Sequence, residues 1–155
     1  MVNDTICAIS TAIGVGGISI IRVSGNDALQ VVAKFFSAKN FDAQKMQPRY
    51  MYLGKFNLGE FSEHCLCVYF KAPNSYTGED LVEFQCHGGV AITNLILKTI
   101  ISSGVRLAEA GEFTKRAFLN KKISLDEAEG VIDIINAESD SELKAGYNLL
   151  QGNLQ

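Results

Sequence analysis

One run of the sequence, PNSYTGEDLVEFQCHGG at 73–89, concentrates the side chains best suited to chemistry. Glu83 lies there between Val82 and Phe84, and its short, largely apolar run predicts a β-strand. Carboxylates are seldom buried without a partner. Held in a strand, this one could accept two hydrogen bonds from a ligand in a bidentate, charge-assisted pair. The alternative is an exposed acid on the polar side of the strand.

The end of the same run predicts a glycine-rich turn that leads into a helix. Glycine permits close backbone approach or a positive φ at Gly88 and Gly89, and a helix N-terminus favours anions. His87 could serve as an acid–base group near neutral pH, or be a loop histidine held by backbone hydrogen bonds. Upstream, Gly78 suits a turn, and the ring of Tyr76 could cover a bound ligand.

Basic side chains stand out at two further places. Arg22 follows the apolar residues ISII in a predicted strand, where its planar guanidinium could pair with a carboxylate or a carbonyl oxygen. It could equally be a strand-end arginine whose head lies in water. The densest basic cluster could bind carboxylates or phosphates, although a solvated turn is the usual outcome for such clusters. This cluster consists of Lys115, Arg116, Asn120, Lys121 and Lys122.

Apolar periodicity predicts an α+β fold, in which helices pack on a mixed, mostly antiparallel sheet. Residues 119–155 are expected to begin an all-α helical domain that continues beyond Gln155. A capping box at Ser124 and Glu127 opens its long helix, and Ser24 or Asn26 is expected to cap the first helix. The predicted strands are 5–13, 18–23, 50–57, 61–70, 79–86 and 105–108, and the predicted helices cover 28–35, 90–101, 112–119 and a long stretch from about 125.

Composition and end signals limit the class of protein. The 155 residues carry a net charge of −3, so the chain lacks the overall basic footprint of duplex-binding domains. No signal peptide is visible, and no apolar run reaches the roughly 18 residues of a bilayer span, so we expect a cytoplasmic location. The glycine run at 14–17 is not G-x-G-x-x-G, which argues against a dinucleotide site.

The four cysteines are expected to be reduced thiols in such a location. Cys65 and Cys67 lack the C-x₂₋₄-C spacing of zinc sites, although His64 and His87 could be imagined to complete one. Cysteine is common as a small buried residue. We therefore expect no metal site, and a packing role for Cys7, Cys65, Cys67 and Cys86.

Three long motifs occur in a fixed order: DTICAISTAIGVGGISIIRVSG at 4–25, the run at 73–89, and GEFTKRAFLNKKISLDEAEGVIDII at 111–135. Together they resemble the N-terminal part of the MnmE (TrmE) family of bacterial tRNA-modifying GTPases, and the resemblance covers almost the whole chain. The chain departs from the family at 11–17, where TAIGVGG stands in place of a form nearer TPPGRGG. Both prolines and the arginine of that loop are missing.

The resemblance implies an N-terminal folate-binding and dimerisation domain at 1–118 and the start of a central helical domain at 119–155. The GTPase domain, with its Mg²⁺ and K⁺, would lie beyond Gln155, because the chain has no G-x-x-x-x-G-K-[ST]. This part alone is then not expected to hydrolyse GTP. The intact homodimer would act on tRNA with the FAD-dependent partner MnmG. Together they would place an aminomethyl or carboxymethylaminomethyl group on C5 of the wobble uridine, U34.

The resemblance also implies site residues for a 5-formyl- or methylene-tetrahydrofolate. Glu83 would hold the pterin, with Arg22 and Lys122 as further contacts and no catalytic residue assigned. A wider pocket would include Tyr76, His87, Gly88, Gly89 and Asn120. Two other functions stay open: a stand-alone folate-dependent one-carbon transferase, and a purely structural dimerisation domain.

Overall fold

The computed structural model of the chain describes residues 4–10 and 17–150, with side chains as far as 137. The chain forms two compact units, Met1–Ala108 and Glu109–Gln155. Residues 11–16 lie outside the described part, and with them most of the glycine run and the end of the strand predicted at 5–13. The boundary predicted between 118 and 119 stays a prediction; by compactness, residues 112–119 group with the helix that follows them.

The first unit is built on a mixed, mostly antiparallel sheet, as the sequence predicts. Its described strands follow the order β3-β4-β5-β6-β2-β1-β7, and among them only β1 and β7 pair in parallel. The predicted α+β fold is therefore confirmed. The strands are β1 Ile6–Ile9, β2 Ser19–Ser24, β3 Phe36–Ser37, β4 Tyr52–Asn57, β5 Ser62–Phe70, β6 Leu81–Cys86 and β7 Arg106–Leu107, and the helices of this unit are α1 Ala28–Phe35 and α2 Gly89–Ser102.

Strand alternation divides the sheet into two chemically different faces. One face packs with α1 and α2 into a single core, in which Phe84 is fully buried and its ring meets that of Phe56 edge-on at 5.3 Å. Cys65, Cys67 and Tyr69 lie on this side, as their spacing predicts. We call the opposite side the outer face; it carries the alternate residues of the same strands, including charged ones.

The start of α1 differs from the prediction. Asp27 occupies the N-cap position and no side chain of its own helix caps it. Instead, the Asp27 N–H donates to the hydroxyl of Thr5 at 3.0 Å. The hydroxyl of Ser24, expected as a cap, is engaged elsewhere: it donates to Glu79 at 2.8 Å and shares a 2.7 Å hydrogen bond with Thr77. Tertiary partners have replaced the local cap.

Other elements of the first unit also differ from the prediction. The strand predicted from 79 begins at Leu81, because the Asp80 carboxylate instead accepts hydrogen bonds from the Tyr69 hydroxyl and the Ala72 N–H. The short strand β3 was not predicted; it directly follows α1 and pairs with β4. The polar connector after it contains a single turn of 3₁₀ helix at Ala43–Lys45.

The second unit consists of α3 Glu112–Leu119, which matches the predicted helix, and α4 Leu125–Leu150. The capping box is confirmed: the Ser124 hydroxyl accepts from the Glu127 N–H, and the Glu127 carboxylate accepts from the Ser124 N–H, both at 3.1 Å. Among the described helices, none combines the length and hydropathy of a membrane-spanning segment.

We expect Ser124→Ala to destabilise the start of α4 by about 1 kcal/mol, because the side-chain acceptor for one backbone N–H is lost. Ser124→Asp should retain most of the stability, since aspartate caps helices about as well as serine. Urea unfolding followed by circular dichroism at 222 nm measures both changes. Equal stability of the alanine variant and the unchanged chain would contradict the role of this box.

Low pH tests the hydrogen bond between the Ser124 N–H and the Glu127 carboxylate. Hydrogen bonds from the backbone and side chain of Ser124 hold the pKa of Glu127 below its ordinary value of 4.5. The folded state therefore binds that proton less tightly than the unfolded state, so the contribution is full above the ordinary pKa and is lost as the pH falls below it. Because Ser124→Ala keeps the backbone N–H of residue 124, the unchanged chain and the variant should both lose stability as the pH falls through that acid range.

Candidate functional site

The candidate site is an ion pair on the outer face of the sheet. Strands β2 and β6 are neighbours, and their register sets Arg22 directly opposite Glu83. The Arg22 Nε donates to Glu83 Oε2 at 2.8 Å, and the two side chains are 31% and 12% exposed. The alternation that buries Ile21 and Phe84 in the core necessarily turns their neighbours Arg22 and Glu83 outward. The two residues predicted to bind a ligand therefore meet each other.

This pair keeps free hydrogen-bonding groups. Within the described residues, Glu83 accepts only the bond from Arg22 Nε, and the Arg22 Nη atoms donate to no protein group. No fully buried polar side-chain atom of that part lacks a partner, so these groups reach the surface. A carboxylate oxygen that accepts thus stands beside guanidinium N–H groups that donate. Such an edge complements a ligand that presents donors and an acceptor side by side.

An aromatic ring borders the pair. The guanidinium carbon of Arg22 lies 5.7 Å from the centre of the Tyr76 ring, which is within range of a cation–π contact. The loop that carries Tyr76 is held to β2 through Thr77 and Glu79, the two partners of the Ser24 hydroxyl. The sequence predicts Ser24 only as a helix cap. No local signal could correct this, since its partners lie more than 50 residues away.

The residues after β6 lie apart from the pair. His87 is exposed and lies four positions after Glu83, which is roughly 13 Å along an extended chain. Gly89 has a φ of +78°, and a Cβ at Gly88 would collide with the side chain of Ile92. The start of α2 therefore requires glycine at both positions, at Gly89 for its backbone conformation and at Gly88 for lack of space. Their predicted part in a ligand pocket stays a prediction.

The second unit holds the remaining predicted residues. The turn after α3 places Lys121 at a φ of +60°, and the Lys122 N–H donates to the Ala117 carbonyl at 2.8 Å. Arg116 does not join the exposed cluster: it is 8% exposed and its Nη2 lies 3.6 Å from Glu112. A hollow of about 620 Å³ adjoins the turn, lined by Phe118, Leu119, Lys121, Lys122, Ile123, Ser124 and Glu127.

The structure therefore brings the predicted site residues together in two groups. Arg22, Glu83 and Tyr76 form one group on the outer face of the first unit. Asn120 and Lys122 belong to the turn of the second unit, where Asn120 follows the last residue of α3. Each group offers cations at a surface, and only the first also offers a carboxylate paired with one of them.

The cysteines are core residues. All four are buried free thiols, and the Sγ atoms of Cys65 and Cys86 lie 3.9 Å apart across β5 and β6. Burial raises the pKa of Cys7 to about 11. The hydrogen bond with Cys86, together with burial, raises the pKa of the Cys65 thiol still further. In the described part of the chain, no three histidine, cysteine or acidic residues are placed to hold a metal ion.

These observations define a class of protein. Its first unit is an α+β sheet domain that carries an arginine–glutamate pair on its outer face, and a helical unit follows in the chain. The family model described as "GTP-binding protein TrmE N-terminus" matches residues 5–122. The chain belongs to this family.

Curated relatives extend the match past the family model. The chain is 47% identical to the tRNA modification GTPase MnmE of Fervidobacterium nodosum, 49% identical to that of Aliarcobacter butzleri and 46% identical to that of Francisella philomiragia. These matches cover 97–98% of this chain but only 32–34% of each relative. The chain thus spans about one third of the length of these relatives.

Proposed function

We propose that the chain is the N-terminal tetrahydrofolate-binding and dimerisation part of a tRNA-modifying GTPase. The observation that carries the proposal is the pairing of Arg22 with Glu83 on the outer face, with hydrogen-bonding groups of both left free. The pair leaves an acceptor of Glu83 beside donors of Arg22, and these groups are available to a ligand. Membership of the TrmE N-terminal family supports the same conclusion.

The chemistry of a pterin fits this pair. A pterin edge presents a ring N–H and an exocyclic amine, which are donors, next to a carbonyl oxygen, which is an acceptor. The free oxygen of Glu83 would accept from the donors, and the Arg22 guanidinium would donate to the carbonyl. The ring of Tyr76, beside Arg22, would supply an aromatic surface for the pterin. When bound, a 5-formyl- or methylene-tetrahydrofolate would supply the one-carbon unit.

The second group of residues suits an acidic ligand. Folates carry glutamate carboxylates, and Lys122 is exposed on a turn beside a hollow large enough to admit a flexible acidic chain. Asn120 lies in the same turn. We propose Lys122 as a folate contact, and we propose His87, Gly88 and Gly89 as further folate-site residues of the first unit.

The role of the whole protein is proposed from the relatives. Their name, tRNA modification GTPase, supports a role in tRNA modification that involves GTP hydrolysis. We propose in addition that the whole protein is a cytoplasmic homodimer whose separate GTPase domain uses Mg²⁺ and K⁺. With the FAD-dependent partner MnmG, it would modify C5 of the wobble uridine. The domain at 1–118 would bind the folate, and 119–155 would belong to the helical domain. Leu125 and Ile134 of α4 are exposed, which fits a helix that packs against further helices.

We expect the 155-residue chain to bind 5-formyltetrahydrofolate in isothermal titration calorimetry and to hydrolyse no GTP. Binding without one-carbon transfer to any added acceptor supports a module of a larger enzyme. Transfer by the purified chain would favour the stand-alone transferase instead. A folded dimer, shown by light scattering, that binds no reduced folate would leave only the structural role.

A further inference from the structure

A second group of cations lies on the outer face, at the edge of the sheet formed by β3, β4 and β5. The register pairs Ser37 with Lys55, and Lys55 with His64, so the three side chains form one row across neighbouring strands. Lys39 follows two residues after Ser37. We call this row and Lys39 the edge row. All four of its residues are exposed.

The edge row borders a hollow of about 380 Å³ that contains no acidic side chain. Its lining residues are Ser37, Ala38, Lys39, Leu53, Gly54, Lys55 and His64. This composition is unusual for the chain, which has 17 acidic residues against 14 lysines and arginines. Glu63 is adjacent to His64 in sequence, but strand alternation directs it to the other face of the sheet. The hollow is therefore locally basic on a protein that is acidic as a whole.

The fold makes no use of these charges. Within the described residues, Lys39, Lys55 and His64 form no side-chain hydrogen bond and no ion pair. Lys55 and His64 stand directly opposite each other, so neither offers the other an opposite charge. The edge row has no acidic partner in the hollow, so its basic groups can bind an external anion.

The position of the edge row relates it to the candidate site. Val68 of β5 is paired with Glu83, and His64 lies four residues before Val68 on the same face of that strand. At about 3.3 Å per residue the separation along the strand is roughly 13 Å. The edge row and the Arg22–Glu83 pair therefore lie on the same face of the sheet.

We propose that the edge row binds phosphates of an RNA backbone, and so holds an RNA strand against the outer face. Lysine ammonium groups contact phosphates as point charges, the Ser37 hydroxyl can donate to a phosphate oxygen, and imidazole is a further donor. Leu53 is 72% exposed between the row and the rest of the face, and offers apolar contact to a ribose or a base. The choice of RNA rests on the proposed function, in which an RNA is the substrate.

The test is the salt dependence of binding to a fluorescent, unmodified tRNA transcript, measured by anisotropy. Each phosphate contact contributes roughly 0.7–0.9 to the slope of log K against log salt concentration. We expect Lys39→Ala/Lys55→Ala to reduce that slope by about 1.5 and to weaken binding about tenfold at 50 mM salt. Because phosphates carry no sequence information, the loss should be similar for an unrelated RNA of equal length.

The matched control is Lys45→Ala/Lys98→Ala, which removes the same charge from exposed lysines outside the hollow. This control should leave the slope nearly unchanged, because it removes no proposed phosphate contact. An equal slope change in both double variants would overturn the proposal, as would polyglutamate competing as well as RNA of the same charge.

Folate binding by the same variants separates this inference from the proposed function. Lys39→Ala/Lys55→Ala should bind 5-formyltetrahydrofolate like the unchanged chain, because neither lysine contacts Arg22 or Glu83. A chain that binds the folate but no RNA would overturn the edge row and leave the folate site standing. Loss of folate binding in the edge-row variant would show a general disruption of the sheet, and would overturn a separate RNA contact.

Discussion

Glu83→Gln should weaken the binding of 5-formyltetrahydrofolate by about a hundredfold or more, as measured by isothermal titration calorimetry. Glutamine has nearly the same shape, but its neutral amide can present only one acceptor oxygen. The variant therefore loses the negative charge, and its one oxygen can accept either from Arg22 or from the ligand while its NH₂ group faces the donors of the other. Removing one partner of a desolvated charge pair costs about 2–5 kcal/mol, and about 2.8 kcal/mol corresponds to a hundredfold change in Kd.

The control for this substitution is Glu60→Gln, which makes the same chemical change in the exposed turn between β4 and β5. It should leave the Kd unchanged. Urea unfolding of both variants checks that the sheet is intact. If Glu83→Gln bound the folate as well as the control did, Glu83 would not belong to the site, and the ion pair would be only structural.

Arg22 provides an independent check through non-additivity. Arg22→Lys keeps the charge but loses the planar fork that can bind Glu83 and a ligand together. Since the two residues touch, each single change disturbs the other residue's contact with the ligand. The loss in the double variant should therefore be smaller than the sum of the two single losses. Strict additivity would mean that the pair does not act as one site.

The sequence predicted local features well because each depends on neighbouring residues. The helix Glu112–Leu119 and the capping box of Ser124 and Glu127 are determined within a few residues. Alternation likewise determined which face of β5 its residues occupy. The same rule indicates only that Glu83 and Phe84 point to opposite sides. It does not say which residue stands opposite either one.

The pairing of Arg22 with Glu83 required the tertiary structure. The two residues are 61 positions apart, and their contact depends on the register of β2 against β6. A shift of one residue would turn Arg22 into the core. The edge row and the cap that Thr5 provides to α1 have the same origin. Periodicity therefore assigned the faces of the elements, whereas the composition of the site followed from which strands are neighbours.

Phe84→Ala should lower the free energy of unfolding by about 3–5 kcal/mol, measured by urea denaturation. The Phe84 side chain is fully buried, and its ring lies 5.3 Å from that of Phe56 and 6.4 Å from that of Phe36. Truncation removes these contacts and leaves a cavity that rigid strands cannot collapse to fill. Domains of this size are typically stable by only about 5–15 kcal/mol, so Phe84→Leu provides a milder variant that should stay folded.

Phe61→Ala is the matched control, because Phe61 is 44% exposed before β5 and its loss should cost less than about 1 kcal/mol. A loss below that value for Phe84→Ala would contradict the central place of its ring in the core.

Glu83 and Phe84 are consecutive residues of β6, so the effects of their substitutions can be compared directly. Glu83→Gln should weaken folate binding with little change in the free energy of unfolding, whereas Phe84→Leu should lower that free energy and leave the Kd of the remaining folded protein unchanged. Adjacent residues on opposite faces thereby separate what holds the sheet together from what the sheet presents to a ligand.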